Sequence, residues 1–329
     1  MSSNIRKLLI LMLMGVLLLS AGCSSTNETK GDLKSKPKIS FAYQTSVAHS
    51  LAMIADHKGF FASEGLDVNT QVLNSGPAVN EAIASGSVQF GTMGDTPALM
   101  AVAGNLPVKI LSSVGGGENR QRLMVKKNSN IDSVKDLAGK TIGIKKGTSS
   151  HGGFYQLASK EGLDPDQVSI IDIRPPDMAD ALATDQADAI LIWEPTPTVI
   201  EAKNIGRELS TLAGTNNQYP VFILANTAYA QKNKEVVIKV LKSLKKAAKF
   251  LQNNPDQAAQ VVSKVTGLSP ELAKKSMNYH YFKVDFNEEI KESLNNTAAF
   301  LYEYDKIQKI PKLEKVIDDS YLKQINISK

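Results

Sequence analysis

Hydroxyl, amide and carboxylate side chains recur where short apolar runs of this chain end and amphipathic runs begin. Gln44, Thr45 and Ser46 follow the first run, Gly94-Asp95-Thr96 another, Thr148-Ser149-Ser150-His151 a third and Trp193-Glu194 a fourth. Each serine or threonine hydroxyl can donate one hydrogen bond. The free N–H groups of a helix's first turn add further donors, and the helix dipole there favours negative charge. Donors of this kind, converging from several loops, suit a small anion. Asp95 and Glu194 fit less simply, because a carboxylate repels an anion. They suit the cationic end of a ligand, or a partner within the protein such as a backbone group or an arginine. Plainer roles stay open: Thr148, Ser149, Ser150 and Asp95 can cap helices, His151 can be a structural imidazole, and Trp193 can be core or an apolar wall.

These residues need elements to hold them. Apolar strands are expected at Ile39–Tyr43, Val68–Leu73, Val88–Met93, Val108–Val114, Leu123–Val125, Thr141–Ile144, Val168–Ile173 and Ala187–Trp193. Helices are expected between them at Leu51–Phe61, Val79–Ser85, Pro97–Ala103, His151–Glu161, Met178–Thr184 and Thr196–Lys203. Alternation of this kind implies parallel α/β sheets, whose ligands sit beyond the carboxyl ends of the strands. The chain then turns helical, with Lys234–Leu251 carrying one apolar face, followed by Pro255–Val265, Pro270–Tyr279 and Glu288–Tyr304.

Two stretches echo each other. Gly76-Pro77-Ala78-Val79-Asn80-Glu81-Ala82 matches Pro175-Pro176-Asp177-Met178-Ala179-Asp180-Ala181, and the same offset carries Asp95 onto Glu194. A repeated strand–loop–helix unit implies two similar lobes facing across a cleft.

The N-terminus bears on location. Arg6 and Lys7 precede an uncharged run from Leu8 to Leu19, too short to span a bilayer comfortably. Leu19-Ser20-Ala21-Gly22-Cys23 then resembles a bacterial lipobox, so residues 1–22 are expected to be a signal peptide, Cys23 the lipidation site and 23–37 a polar tether. Cys23 is the only cysteine, which excludes an intramolecular disulfide. About 290 residues remain beyond the tether, enough for two lobes. Net charge is +5. Lys239, Lys242, Lys245, Lys246 and Lys249 read as a solvated helix face, without the interleaved aromatics that single-stranded nucleic acid would want. No cofactor or metal is expected, since His49, His57, His151 and His280 show no ligand spacing. The chain has no nucleophile elbow around Ser149 or Ser150 and no phosphate loop after Gly115-Gly116-Gly117, so an enzyme is not expected.

Five motifs in order carry a family resemblance. They are Tyr43-Gln44-Thr45-Ser46, Gly91-Thr92-Met93-Gly94-Asp95-Thr96-Pro97, Lys146-Gly147-Thr148-Ser149-Ser150-His151, Pro175-Pro176-Asp177-Met178-Ala179-Asp180-Ala181-Leu182 and Ile192-Trp193-Glu194-Pro195. Together they resemble the aliphatic-sulfonate, taurine and nitrate-binding proteins of ABC importers, of NMT1/THI5-like type. The resemblance implies a type II periplasmic-binding fold: two doubly wound α/β lobes joined by a two-strand hinge, with C-terminal helices. Lobe 1 would hold 38–116 and 222–329, and lobe 2 would hold 117–221. It further implies a monomeric lipoprotein outside the cytoplasmic membrane. That protein would capture an aliphatic sulfonate or taurine and deliver it to a permease and its ATPase. The same fold also serves nitrate or bicarbonate binding, thiamine-precursor binding or synthesis, and ligand sensing.

Overall fold

The computed structural model describes residues 36–327; the expected signal peptide, Cys23 and nearly all of the tether lie outside the described residues. Ten strands form two five-stranded sheets. The first contains β1 (Lys38–Gln44), β2 (Asp67–Leu73), β3 (Phe90–Gly94), β4 (Val108–Gly115) and β10 (Val221–Asn226), in the order β2-β1-β3-β10-β4. The second contains β5 (Gln121–Lys126), β6 (Thr141–Ile144), β7 (Ser169–Asp172), β8 (Ala189–Trp193) and β9 (Gly206–Thr211), in the order β7-β6-β8-β5-β9. Each sheet repeats one plan. Three parallel strands are followed by a strand running against them, β10 in one and β5 in the other. The sheets are therefore mixed, a correction to the purely parallel expectation. The chain leaves one sheet and enters the other between its parallel and antiparallel parts, and that exchange reverses strand direction.

Strand side chains alternate between faces. Leu123 and Val125 join one core while Met124 joins the other, and Leu191 and Ile190 divide likewise. Phe41 and Ala42 split in the same way across the first sheet. Helices cover both faces, which is why the strands read as nearly continuous apolar runs. The helix Lys234–Asn253 buries Val237, Leu241 and Leu244 against the first core and exposes Lys242, Lys246 and Lys249. The expected helix Leu51–Phe61 is broken by Gly59 in the left-handed region, giving Ser50–His57 and Phe60–Ser63. No helix among the described residues is long and apolar enough to cross a membrane.

Two connections cross between the sheets. The first runs through Gly115, Gly116 and Gly117. Gly115 and Gly117 have φ of 154° and 149°, and a methyl on either would collide with the carbonyl of Tyr281 or Tyr279. Gly116 exchanges backbone hydrogen bonds with Tyr281 (3.1 and 2.9 Å), and Gly117 N donates to the Gln218 carbonyl at 2.8 Å on the returning connection. The three glycines thus permit close backbone packing, and the two crossings are tied to each other through Gly117 and Gln218.

Candidate functional site

The carboxyl ends of β1, β3 and β8 converge on the N-terminus of the helix Ser149–Glu161, which follows β6. Between them lies a small cavity lined by Gln44, Ser46, Gly94, Thr148, Ser149 and Trp193 from the sequence-expected set. His49, Pro97, Arg120, Gln121 and Val221 complete the lining. Its volume is about 20 Å³, room for roughly one water. Larger hollows exist, including one of about 860 Å³ near Lys291 and Leu313, but their linings carry charged side chains of both signs. Convergence of buried donors, rather than size, marks the smaller cavity.

The remaining expected residues sit just behind this wall or away from it. Thr45 is exposed, and its amide bonds the Leu73 carbonyl at 3.1 Å. Thr96 is buried with its hydroxyl unpartnered, outside the cavity lining. Ser150 Oγ donates to Gln121 Oε1 at 2.6 Å. His151 Nδ1 accepts from the Gly147 amide at 3.2 Å, so the ring braces the loop instead of donating to the cavity. Burial, with help from Lys306 and Lys146, lowers its pKa to about 4, which keeps it neutral and able to accept. His49, inside the lining, is lowered to about 3 by burial and by Arg120.

The two carboxylates are both fully buried, and both are occupied by protein. Asp95 accepts from Ser149 Oγ at 2.5 Å, Thr297 Oγ1 at 2.9 Å and Asn217 Nδ2 at 3.2 Å. Glu194 pairs with Arg122 Nη1 at 2.8 Å and accepts from the Thr198 amide at 3.4 Å. Its backbone carbonyl takes the Ser46 hydroxyl at 2.8 Å, a tie between the two sheets' loops. Ser149 to Asp95 is a second such tie. It requires Gly94, where a methyl would strike Ser149 Oγ. Thr148 is the N-cap of its helix by position, yet its hydroxyl donates to the Lys145 carbonyl at 2.6 Å. The first-turn amides of that helix have no intrahelical acceptor, and Thr148 and Ser149 at its start line the cavity.

Arg120 decides what this arrangement can hold. It ends a short 3-10 turn before β5, is 3% exposed, and lines the cavity. Its Nε and Nη2 both donate to one acceptor, the Tyr219 carbonyl, at 3.0 and 2.8 Å. Tyr219 presents that carbonyl from a backbone with φ of 43°, a costly conformation for a bulky residue. Arg120 makes no ion pair among the described residues. Burial lowers its pKa to about 10, partly offset by Asp95, so it stays cationic at neutral pH. A buried cation held by a neutral carbonyl near the start of a helix has the chemistry to receive an anion. Gln121 adds a buried Nε2 without a partner.

A family model matches residues 46–258, well over half of the chain, and spans every lining residue of this cavity except Gln44. The chain belongs to the NMT1/THI5-like family. Among relatives of this NMT1/THI5-like protein, a Bacillus subtilis protein provisionally named aliphatic sulfonates-binding is 28% identical over 96% of each chain. The taurine-binding periplasmic protein of Escherichia coli is 26% identical over 82% of this chain and 87% of its own. Among solved structures, the alkanesulfonate-binding protein SsuA of Xanthomonas axonopodis pv. citri, bound to MOPS, superposes with a TM-score of 0.79 at 22% identity. That match covers 85% of this chain and 98% of SsuA. It establishes the type II periplasmic-binding fold.

Proposed function

We propose that this NMT1/THI5-like protein is the extracytoplasmic solute-binding lipoprotein of an ABC importer. Its solute is a small organic anion of the aliphatic sulfonate or taurine class, and it has no catalytic role. One observation carries the reading: Arg120, a buried cation without an ion pair among the described residues, lines a cavity between two sheets at the start of a helix. The names of the B. subtilis and E. coli relatives support the solute class. Residues 38–116 with 222–329 act as one lobe and 117–221 as the other, swinging about the two crossings. The cavity admits only about one water, so entry of a solute requires the lobes to part. Ligand then favours closure by as much as it prefers the closed state. Sulfonate oxygens accept from Arg120, Gln121 and the amides at Thr148–Ser150. Lipid on Cys23 holds the protein at the membrane surface, where the cavity releases its solute to the permease, which is driven by its ATPase.

Calorimetry on the purified protein tests the solute class. Alkanesulfonates or taurine should bind and raise the unfolding temperature, since ligand at a hundred times Kd adds about 2.7 kcal/mol. Nitrate, bicarbonate and a thiamine-precursor pyrimidine should do neither. A response confined to one of those three would replace the sulfonate reading. Cys23→Ser should move the protein from the membrane fraction to the soluble extracytoplasmic fraction without altering solute affinity. Continued membrane attachment of that variant would reject lipid anchoring.

A further inference from the structure

The cavity has a second property, the lack of a carboxylate to receive a positive charge. The two nearest candidates are spent: three donors occupy Asp95, and Arg122 with the Thr198 amide occupies Glu194. The neutral side chains left in the wall offer dipoles and no negative charge. Gln44 Nε2 donates to the Thr92 carbonyl at 3.2 Å, and Ser46 Oγ donates to the Glu194 carbonyl. An ammonium group brings three donors that all need acceptors once water is expelled. Here it would share a closed space with the Arg120 guanidinium. The apolar part of the lining is formed by Pro97, Trp193 and Val221. Trp193 reaches the space from the end of β8, directly across the β5–β8 register from Gln121.

From this division we infer that the solute's tail is uncharged and apolar, so that the site selects alkanesulfonates against aminosulfonates such as taurine. The inference rests on the sulfonate reading above and narrows it. The sulfonate head lies on Arg120 and Gln121, and the carbon chain lies along Trp193 and Pro97. Asp95 and Glu194 serve closure and lobe structure and do not receive an amine.

Propane-1-sulfonate and taurine make a matched pair, equal in heavy atoms and differing by a methyl in place of an ammonium. Calorimetry on the purified full chain should give propanesulfonate about a 100-fold lower Kd, the size set by like-charge juxtaposition in a dry site. A gap of less than ten-fold, or tighter taurine binding, overturns the inference while leaving the sulfonate reading intact. Binding by neither compound defeats both. The series methane-, ethane- and propanesulfonate supplies an independent arm. Affinity should rise roughly four-fold per methylene as each is buried, and Trp193→Ala should flatten that rise more than it weakens methanesulfonate. A flat series in the unsubstituted protein would overturn the apolar tail even if that variant failed to fold.

Discussion

Arg120→Gln should weaken propanesulfonate binding by about 3 kcal/mol, roughly a hundred-fold in Kd, without lowering the protein's stability. The expectation follows from the asymmetry of Arg120's surroundings. Among the described residues its hydrogen-bond acceptor is the Tyr219 carbonyl, which a glutamine amide can still meet. In the unliganded closed form the buried charge is a burden, because no carboxylate pairs with it. Neutralising it should therefore leave the urea midpoint unchanged or raise it. In the liganded form the same charge faces the sulfonate in a site closed to water, and its loss is felt in full. Arg120→Lys should recover only part of the affinity, since an ammonium cannot hold the Tyr219 carbonyl and a sulfonate oxygen with one planar fork. Calorimetry and urea unfolding on the three proteins separate these effects. Wild-type affinity in Arg120→Gln would remove the guanidinium from the binding account.

Much of this scaffold could be read from the chain. The strands that became β1, β3, β4, β6 and β8 are apolar runs because each is covered on both faces, and burial leaves that mark in sequence. The last strand of the second sheet left no such mark. β9 reads Gly-Arg-Glu-Leu-Ser-Thr, an edge strand whose side chains are mostly part-exposed, so nothing forces alternation. The loops holding Gln44, Gly94, Thr148 and Trp193 were legible because they end strands and begin helices. Arg120 was not, because it stands in a short turn straight after three glycines, where no period exists to place it. One signal was present. Lysine far outnumbers arginine in this chain, yet Arg120 and Arg122 stand two residues apart. Arginine is the residue suited to buried, multiply bonded charge. At strand spacing these two must share a face, but Arg120 lies just outside β5, and the turn frees it to point into the cavity. The paired positions of Asp95 and Glu194 were also visible, but not their partners. Thr297 and Asn217 are remote in sequence from Asp95, and Arg122 meets Glu194 only through the β5–β8 pairing.

Arg122→Met should destabilise the protein by about 3 kcal/mol, and Glu194→Gln by only about 1 kcal/mol. Arg122 is 2% exposed and joins Glu194, Glu201 and Glu208, from the end of β8, the helix Thr196–Ala202 and β9. Burial opposes its charge, but the three carboxylates outweigh burial and hold the guanidinium above its ordinary range. The Tyr279 ring lies 4.8 Å from its Cζ, and Lys275 reaches Glu201 at 3.2 Å. The partners differ in what their loss strands. Without Arg122, the fully buried Glu194 carboxylate has only the Thr198 amide and must take up a proton or unfold the loop beyond Trp193. Without the Glu194 charge, Arg122 keeps Glu201 and Glu208, both partly open to solvent. Equilibrium urea unfolding measures the two costs, and Arg122→Met with Glu194→Gln should cost less than the sum of the singles because they share one partner pair. Because Glu194 points to Arg122 and not to the cavity, Glu194→Gln should also leave the ratio of propanesulfonate to taurine affinities unchanged. A shift in that ratio toward propanesulfonate would place the Glu194 carboxylate at the solute's tail, and equal costs for the two single substitutions would show that the buried carboxylate does not depend on Arg122.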